Sequence, residues 1–238
     1  ERMISKKMEG LVKNSSIIRA MFEEGTRLSA IYGEENVFDY SIGNPNVEPP
    51  VAIKEAIVDI LNNESPNYVH GYMSNAGYED VRENIANYIN KQNSLNLSSE
   101  NIVMTCGAAG GLNIVLKTLL NPGDEVIVLA PYFGEYANYV SNFDGKLVVV
   151  EADTKTFQPN IDALAKAITA KTKAIIINTP NNPTGIVYSE ESIIKIANVL
   201  EEKQKEFKTS IYLISDEPYK EIVYDDVEVP YILKYYKN

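Results

Sequence analysis

The chain of 238 residues contains no tryptophan, one cysteine, one histidine and no arginine beyond Arg82. A single cysteine, Cys106, cannot form a disulfide within the chain, which is typical of a reducing compartment. His70 is the one histidine of the sequence, and no group of His, Cys and acidic residues has the spacing of a metal site. No histidine or acidic residue is placed to complete a hydrolytic triad with Cys106. We therefore predict no metal site, and we interpret Cys106 as a small buried residue rather than a nucleophile.

The 33 acidic residues outnumber the 22 lysines and arginines, and the net charge is −11. Because an acidic surface repels nucleic acid and anionic membranes, we expect neither as a partner. The sequence has no apolar run of 18 residues, and its beginning carries charge without the apolar core of a signal peptide. We therefore expect a cytoplasmic protein. Hydrophobic residues make up 45% of the sequence, which is enough to form a buried core.

From Asn101 onward, short apolar runs alternate with amphipathic stretches. The runs predict strands at Ile102–Thr105, Glu125–Ala130, Lys146–Val150, Lys173–Ile177 and Ile211–Ser215. The spacing of apolar residues predicts helices at Ser15–Gly33, Val51–Leu61, Tyr78–Lys91, Leu112–Leu120, Glu135–Asn142, Ile161–Ile168 and Glu190–Phe207. Short β-branched runs separated by helices favour an α/β fold, with a mostly parallel sheet flanked by helices.

Glycine, asparagine, acidic or aromatic residues follow four of the predicted strands. The segments are CGAAGG after Thr105, PYFGEY after Ala130, NTPNNPTG after Ile177 and DEPY after Ser215. Since ligands bind at the carboxyl ends of strands in such sheets, we expect a site where these segments meet. CGAAGG leads into a helix, so it would either bind a phosphate or simply form a tight turn between strand and helix. It lacks the dinucleotide and P-loop patterns.

Taken singly, these residues allow structural as well as functional interpretations. Asp216 would be partly buried, either as a counter-charge for a cationic ligand group or as a helix cap or lysine partner. Asn181 or Asn182 would donate into the cleft, or the segment would simply form a turn. Phe133 would pack in the core or present its flat face to a ligand.

In this order, the strand-end motifs resemble those of the class I and II aminotransferases, which are pyridoxal-phosphate (PLP) enzymes of fold type I. The landmarks are SIGNPN (Ser41–Asn46), GYMSNAGYEDVRENIA (Gly71–Ala86), TCGAAGGL (Thr105–Leu112), NPGDEVIVLAPYF (Asn121–Phe133), NTPNNPTG (Asn178–Gly185) and ISDEPY (Ile214–Tyr219). NPTG followed about thirty residues later by D-E-x-Y at a strand end is a specific combination. The resemblance implies an N-terminal arm and part of the small domain at 1–44, and the large PLP-binding domain at 45–238.

The resemblance implies that four side chains contact the ring of the cofactor. Asp216 would pair with the pyridinium nitrogen and keep it protonated. Tyr219 and Asn182 would hydrogen-bond the ring oxygen. Phe133 would stack on the ring face, and because many aspartate-specific members have tryptophan there, aspartate specificity is not implied.

Four further positions would contact the phosphate or the substrate. The resemblance implies that the backbone N–H groups of Ala108 and Ala109 hold the phosphate. Tyr72 would reach the phosphate of a neighbouring subunit, which implies a homodimer with shared sites. Gly43 would lie beside the substrate carboxylate.

The family also has a Schiff-base lysine, in an S-x-S-K motif about thirty to forty residues after the aspartate. Only 22 residues follow Asp216, and no such motif occurs among them. Lys220 is too close to Asp216 to reach the other end of the ring. We therefore expect the lysine beyond Asn238, together with the last strands of the sheet and the C-terminal small domain. No residue of this chain is predicted to be catalytic, and the chain alone would be inactive.

The resemblance implies transamination between an amino acid and a 2-oxo acid, as part of amino acid metabolism and biosynthesis. Two alternatives share the same strand-end residues. One is another PLP-dependent reaction on the same fold, such as that of a β-lyase or a cyclase. The other is a non-catalytic module that binds PLP, which the absent lysine favours and the complete set of ring contacts disfavours.

Overall fold

The computed structural model describes residues 3–13, 17–40, 43 and 47–236. It separates two compact units, Glu1–Tyr72 and Met73–Asn238. This division reflects packing among these residues only, so the predicted domain limits, 1–44 and 45–238, stay a prediction. None of the helices in the described part of the chain combines the length and the apolar character that a membrane span requires.

The first unit is helical. Its elements are α1 (Lys6–Lys13), α2 (Ile17–Tyr32), a 3-10 turn (Glu34–Asn36), α3 (Val51–Asn63) and α4 (Pro66–His70). The two helices predicted for this region correspond to α2 and α3 and are confirmed to within two residues at each end. The start of α4 is readable in the sequence, since the Ser65 hydroxyl accepts from the Tyr68 N–H and proline occupies the first helical position.

The second unit alternates helices and strands. Its elements are α5 (Glu79–Asn93), a 3-10 turn (Ser99–Asn101), α6 (Gly107–Leu119), β1 (Glu125–Ala130), α7 (Glu135–Asn142), β2 (Lys146–Glu151), α8 (Ile161–Ala167), β3 (Thr172–Asn178), α9 (Glu190–Phe207), β4 (Tyr212–Asp216) and a 3-10 turn (Ile232–Lys234). Four of the five predicted strands and all of the predicted helices are confirmed. The largest shift is at α6, because its first turn consists of the small residues that also suit a loop.

The predicted strand at Ile102–Thr105 is wrong. Ile102 has an extended backbone, with φ −115° and ψ 131°. However, an extended segment becomes a strand only by pairing with a neighbour, and none of the four described strands pairs with this one. The Met104 N–H donates instead to the Ala76 carbonyl at 2.9 Å.

The four strands form one parallel sheet in the order β2–β1–β3–β4. The chain passes from β1 to β2 on one side and then returns to β3 on the other side of β1. The loops after β1 and β3 therefore leave in opposite directions, and a crevice opens at their carboxyl ends. The register places Asn178 beside Asp216, as the last residues of β3 and β4.

The sheet is covered by helices on both faces, as predicted. On β1, Val126 and Val128 belong to a buried cluster with side chains of α6 and α7. The alternate residues, Ile127 and Leu129, belong to a second cluster with side chains of α8 and α9. Because both faces of β1 are buried, its residues from Val126 to Ala130 are continuously apolar.

The buried phenol of Tyr188, in the second of these clusters, should make the stability of the protein depend on alkaline pH. Tyr188 is 3% exposed, and burial raises the pKa of its phenol to about 12. A tyrosine in an unfolded chain titrates near pH 10, so the unfolded state loses this proton first as the pH rises. The stability that Tyr188 contributes is therefore complete below about pH 10 and is lost as the pH rises through about 12. Between neutral pH and pH 11, we therefore expect the free energy of unfolding to fall by roughly 1.4 kcal/mol less in Tyr188→Phe than in the wild type.

The measurement is denaturant unfolding of the natural gene product between pH 8 and pH 11. Tyr224→Phe is the matched control, since Tyr224 is 78% exposed. Its alkaline loss of stability should follow that of the wild type. An equal alkaline loss in Tyr188→Phe and in the wild type would contradict the prediction.

Candidate functional site

One pocket lies where the segments after β1, β3 and β4 meet the N-terminus of α6, and its volume is about 260 Å³. It is lined by Ala108, Ala109, Leu112, Phe133, Tyr136, Tyr139, Asn178, Asn182, Asp216, Pro218 and Tyr219. The structure thus brings together every residue of the second unit that was predicted to contact the cofactor. Their individual roles stay predictions.

Asp216 ends β4 with its side chain only partly buried. Its Oδ2 accepts a hydrogen bond from the Tyr136 hydroxyl at 2.6 Å. Neither structural interpretation of Asp216 holds within the described residues: it caps no helix, and no lysine or arginine pairs with it. Its contact with a neutral donor, in a pocket, leaves its charge available to a cationic group of a ligand.

Asn178 joins two segments that line the pocket, and it was missed as a site residue. It is 4% exposed and lies in register with Asp216. Its Nδ2 donates to the backbone carbonyl of Asp216 at 2.9 Å, and its Oδ1 accepts from the backbone N–H of Asn182 at 2.7 Å. Because both ends of the amide are used within the protein, Asn178 holds the Asn182 segment against the end of β4.

Asn182 and Tyr219 meet at the pocket, where Asn182 Nδ2 donates to Tyr219 Oη at 3.2 Å. Two groups that were predicted to bind the same ring oxygen therefore lie within hydrogen-bond distance of each other. Asn181 is engaged elsewhere, because its Oδ1 accepts from the Thr184 hydroxyl at 2.7 Å and its Nδ2 donates to the Pro131 carbonyl at 3.2 Å. Of the two asparagines that the sequence left open, only Asn182 lines the pocket.

Three aromatic side chains form one wall of the pocket. The rings of Phe133 and Tyr136 pack edge to face, with centroids 5.6 Å apart, and Tyr139 lies 6.5 Å beyond Tyr136. Burial, followed by the carboxylate of Asp216, raises the pKa of Tyr136 far above its ordinary value, so its hydroxyl remains a donor. Spacings of three residues could have indicated Tyr136 and Tyr139, but a buried helix face has the same pattern.

The N-terminus of α6 forms another part of the pocket. Ala108 and Ala109 lie in its first turn, where backbone N–H groups have no acceptor within the helix. These groups and the helix dipole favour an anion, and the methyl side chains let it come close.

Cys106 precedes this turn and is exposed, so the expectation that it is buried is wrong. It lies at the entry to α6, outside both buried clusters.

These residues fit PLP by the chemistry of their side chains. A carboxylate matches the ring nitrogen, an aromatic wall matches the ring face, the Asn182–Tyr219 pair matches the ring oxygen, and a helix N-terminus matches the phosphate. Among the pocket residues that the structure describes, none is a lysine or an arginine. The described residues also contain no cluster of His, Cys, Asp or Glu that could hold a metal ion.

The other two predicted site residues belong to the first unit. Tyr72 is fully exposed, and Gly43 is exposed with open space where a side chain would stand. Of the SIGNPN segment, Ser41–Asn46, only Gly43 lies within the described residues. The predicted contacts of Tyr72 with a neighbouring subunit and of Gly43 with the substrate therefore stay proposals.

Comparison with known proteins identifies the relatives of the chain. The family model "Aminotransferase class I and II" matches residues 35–236. Aspartate aminotransferase of Pyrococcus horikoshii is 33% identical over 219 residues, which are 92% of this chain and 52% of that protein. An amino transferase structure from Eubacterium rectale matches the whole chain and 60% of its own, with a TM-score of 0.95 and 42% identity. Aspartate aminotransferase of Thermotoga maritima gives a TM-score of 0.83 at 29% identity, over 98% of this chain and 58% of that one. The chain spans about half the length of the curated relatives it matches.

Proposed function

The chain belongs to the class I and II aminotransferases, and from that membership we propose that its gene product transfers an amino group between an amino acid and a 2-oxo acid. The family is PLP-dependent, so the predicted cofactor and the PLP-dependent transferase fold are confirmed. The observation that carries the proposal is the single pocket in which the predicted cofactor contacts converge at the switch point of a parallel sheet.

When bound, PLP supplies an electron sink for the electrons released at the substrate α-carbon. In the proposal, Asp216 pairs with the ring nitrogen and holds a proton there. Phe133 covers the ring face and keeps water from it. The first-turn N–H groups of α6, at Ala108 and Ala109, bind the phosphate and thereby orient the ring.

The proposal places the catalytic lysine beyond Asn238, in an S-x-S-K motif, with the remaining strands and the small domain. Lys220 follows the pocket residue Tyr219 in the sequence, but its ammonium group contacts residues outside the pocket. Its ammonium lies 4.1 Å from the centroid of the Tyr231 ring and 3.8 Å from a Glu217 oxygen. We also propose that basic groups outside the described pocket neutralise the phosphate, since hydrogen bonds from cationic side chains to phosphate are stronger than those from neutral donors.

A homodimer in the cytoplasm is also proposed, with no nucleic acid or membrane as a partner. In this dimer, Tyr72 of one subunit would contact the phosphate in the other. The full exposure of Tyr72 supports this role, because its side chain is available to a second subunit. The net charge of −11 disfavours anionic polymers and surfaces as partners.

The test uses the natural gene product. It is incubated with PLP, reduced with borohydride and digested, and the pyridoxyl-labelled peptide is mapped by mass spectrometry. We expect one label, on a lysine beyond Asn238 in an S-x-S-K context. Protein reduced without PLP is the control. Scattered labels on Lys220, Lys234 and Lys237, or no label, would favour the non-catalytic module instead.

The same preparation then separates transamination from elimination. It is given alanine, aspartate, an aromatic amino acid or cysteine together with a 2-oxo acid. Transamination converts the 2-oxo acid into a new amino acid, whereas a β-lyase expels the thiol of cysteine from Cβ as sulfide and releases ammonia and pyruvate. We expect a new amino acid without stoichiometric ammonia.

A further inference from the structure

Tyr136 lies in the pocket, but neither the motifs nor the family resemblance assigns it a role. It is 1% exposed, on α7. Its hydroxyl donates to Oδ2 of Asp216 at 2.6 Å, across 80 residues of sequence. Its ring packs edge to face with that of Phe133, with an angle of 83° between the two ring planes. One side chain therefore contacts two residues that are predicted to hold the cofactor ring.

The hydrogen bond restricts the carboxylate of Asp216. The torsion that orients a carboxylate has a broad energy minimum, so such a group rotates unless a partner holds it. Tyr136 occupies Oδ2, and within the described residues no other side chain donates to this carboxylate. The neighbouring backbone is also held, because the Asp216 carbonyl accepts from Asn178. The oxygen that remains for a ligand is Oδ1.

We propose that Tyr136 is a positioning residue for PLP. Its hydroxyl holds Asp216 by one oxygen and leaves the other for the ring nitrogen, and its ring supports Phe133 from the side. This role rests on the proposed function, since it requires that Asp216 faces PLP. Because its hydroxyl remains protonated, Tyr136 is the donor in this hydrogen bond. Hydrogen bonds to a carboxylate are stronger than those to a neutral acceptor, so the bond can hold Asp216 in one orientation.

The experiment compares two ligands in the natural gene product. One is PLP, and the other is an analogue with carbon in place of the ring nitrogen. Tyr136→Phe keeps the ring that packs on Phe133 and removes only the hydroxyl. We expect this variant to bind PLP about tenfold more weakly than the wild type, because a hydrogen bond to a charged group is lost. Binding of the analogue, which has no nitrogen for Asp216, should be unchanged.

Two further variants sharpen the comparison. Tyr235→Phe is the matched control, because its hydroxyl also donates to a carboxylate, that of Glu190, at 2.9 Å and outside the pocket. It should leave the affinity for PLP unchanged. Adding Tyr136→Phe to Asp216→Ala should cause no further loss, since the two residues act as one unit.

Each outcome decides a different point. If the wild type does not bind PLP, the proposed function fails. If the wild type binds PLP and Tyr136→Phe binds it equally well, the positioning role fails alone. An equal loss for PLP and for the analogue would also overturn it, because that would indicate packing only. Both affinities are measured within one variant, so a general loss of folding cannot mimic a selective loss.

Discussion

Replacing Asp216 with asparagine should lower transamination by the natural gene product on the order of a thousandfold, or about 4 kcal/mol. Asparagine has nearly the same volume, and its amide oxygen can still accept from the Tyr136 hydroxyl. It has no charge, however, so it cannot pair with a protonated ring nitrogen. The measurement is the steady-state rate at saturating PLP, together with the affinity for PLP.

Asp225→Asn is the matched control for this loss of charge. Asp225 is exposed and has a φ of +58°, a region that asparagine tolerates well. The control should keep the rate of the wild type. An Asp216→Asn variant with more than a tenth of the wild-type rate would show that the carboxylate does not act on the ring nitrogen.

Replacing Asn178 with aspartate should have the second largest effect, on both stability and cofactor affinity. The new side chain keeps the oxygen that accepts from the Asn182 N–H. Its other oxygen replaces the Nδ2 donor and faces the Asp216 carbonyl oxygen at a site that is 4% exposed. An unpaired buried carboxylate costs about 3 kcal/mol, which lowers the melting temperature by several degrees. Because Asn182 and Asp216 are then no longer held together, affinity for PLP should fall about a hundredfold.

Asn93→Asp separates these two effects. Asn93 is 9% exposed and donates through Nδ2 to the Ile89 carbonyl at 3.1 Å, near the end of α5 and outside the pocket. This variant also places a carboxylate beside a carbonyl oxygen, so its melting temperature should fall. Its affinity for PLP, measured below the melting temperature, should be retained. If Asn178→Asp also retained its affinity below its own melting temperature, Asn178 would be a stabilising residue only.

Local pattern was sufficient to predict most of the fold and the position of the candidate site. Apolar runs such as Glu125–Ala130 are long enough for strands and too short for most helices, and the helices between them require parallel pairing. In a parallel sheet, the carboxyl ends of neighbouring strands lie at one edge, so residues that follow different strands converge. Asp216, Asn182 and Phe133 were predicted to meet for that reason, and they line one pocket.

The tertiary structure decided which extended segments pair and which polar groups bond. Ile102–Thr105 has the composition of a strand, but pairing depends on a neighbouring strand that its own residues do not specify. Asn181 and Asn182 are chemically identical, and only the path of the chain directs one to Thr184 and Pro131 and the other to the pocket.

The sequence by itself determined the order of the elements, the apolar faces and the edge of the sheet at which the candidate site lies, because these follow from periodicity and from residues close together in the chain. Only the tertiary structure decided that Tyr136 bonds Asp216 and that Asn178 joins Asn182 to Asp216. These hydrogen bonds depend on strand register and on the seating of α7 against the sheet. Both result from packing summed over the two buried clusters, which no local pattern encodes.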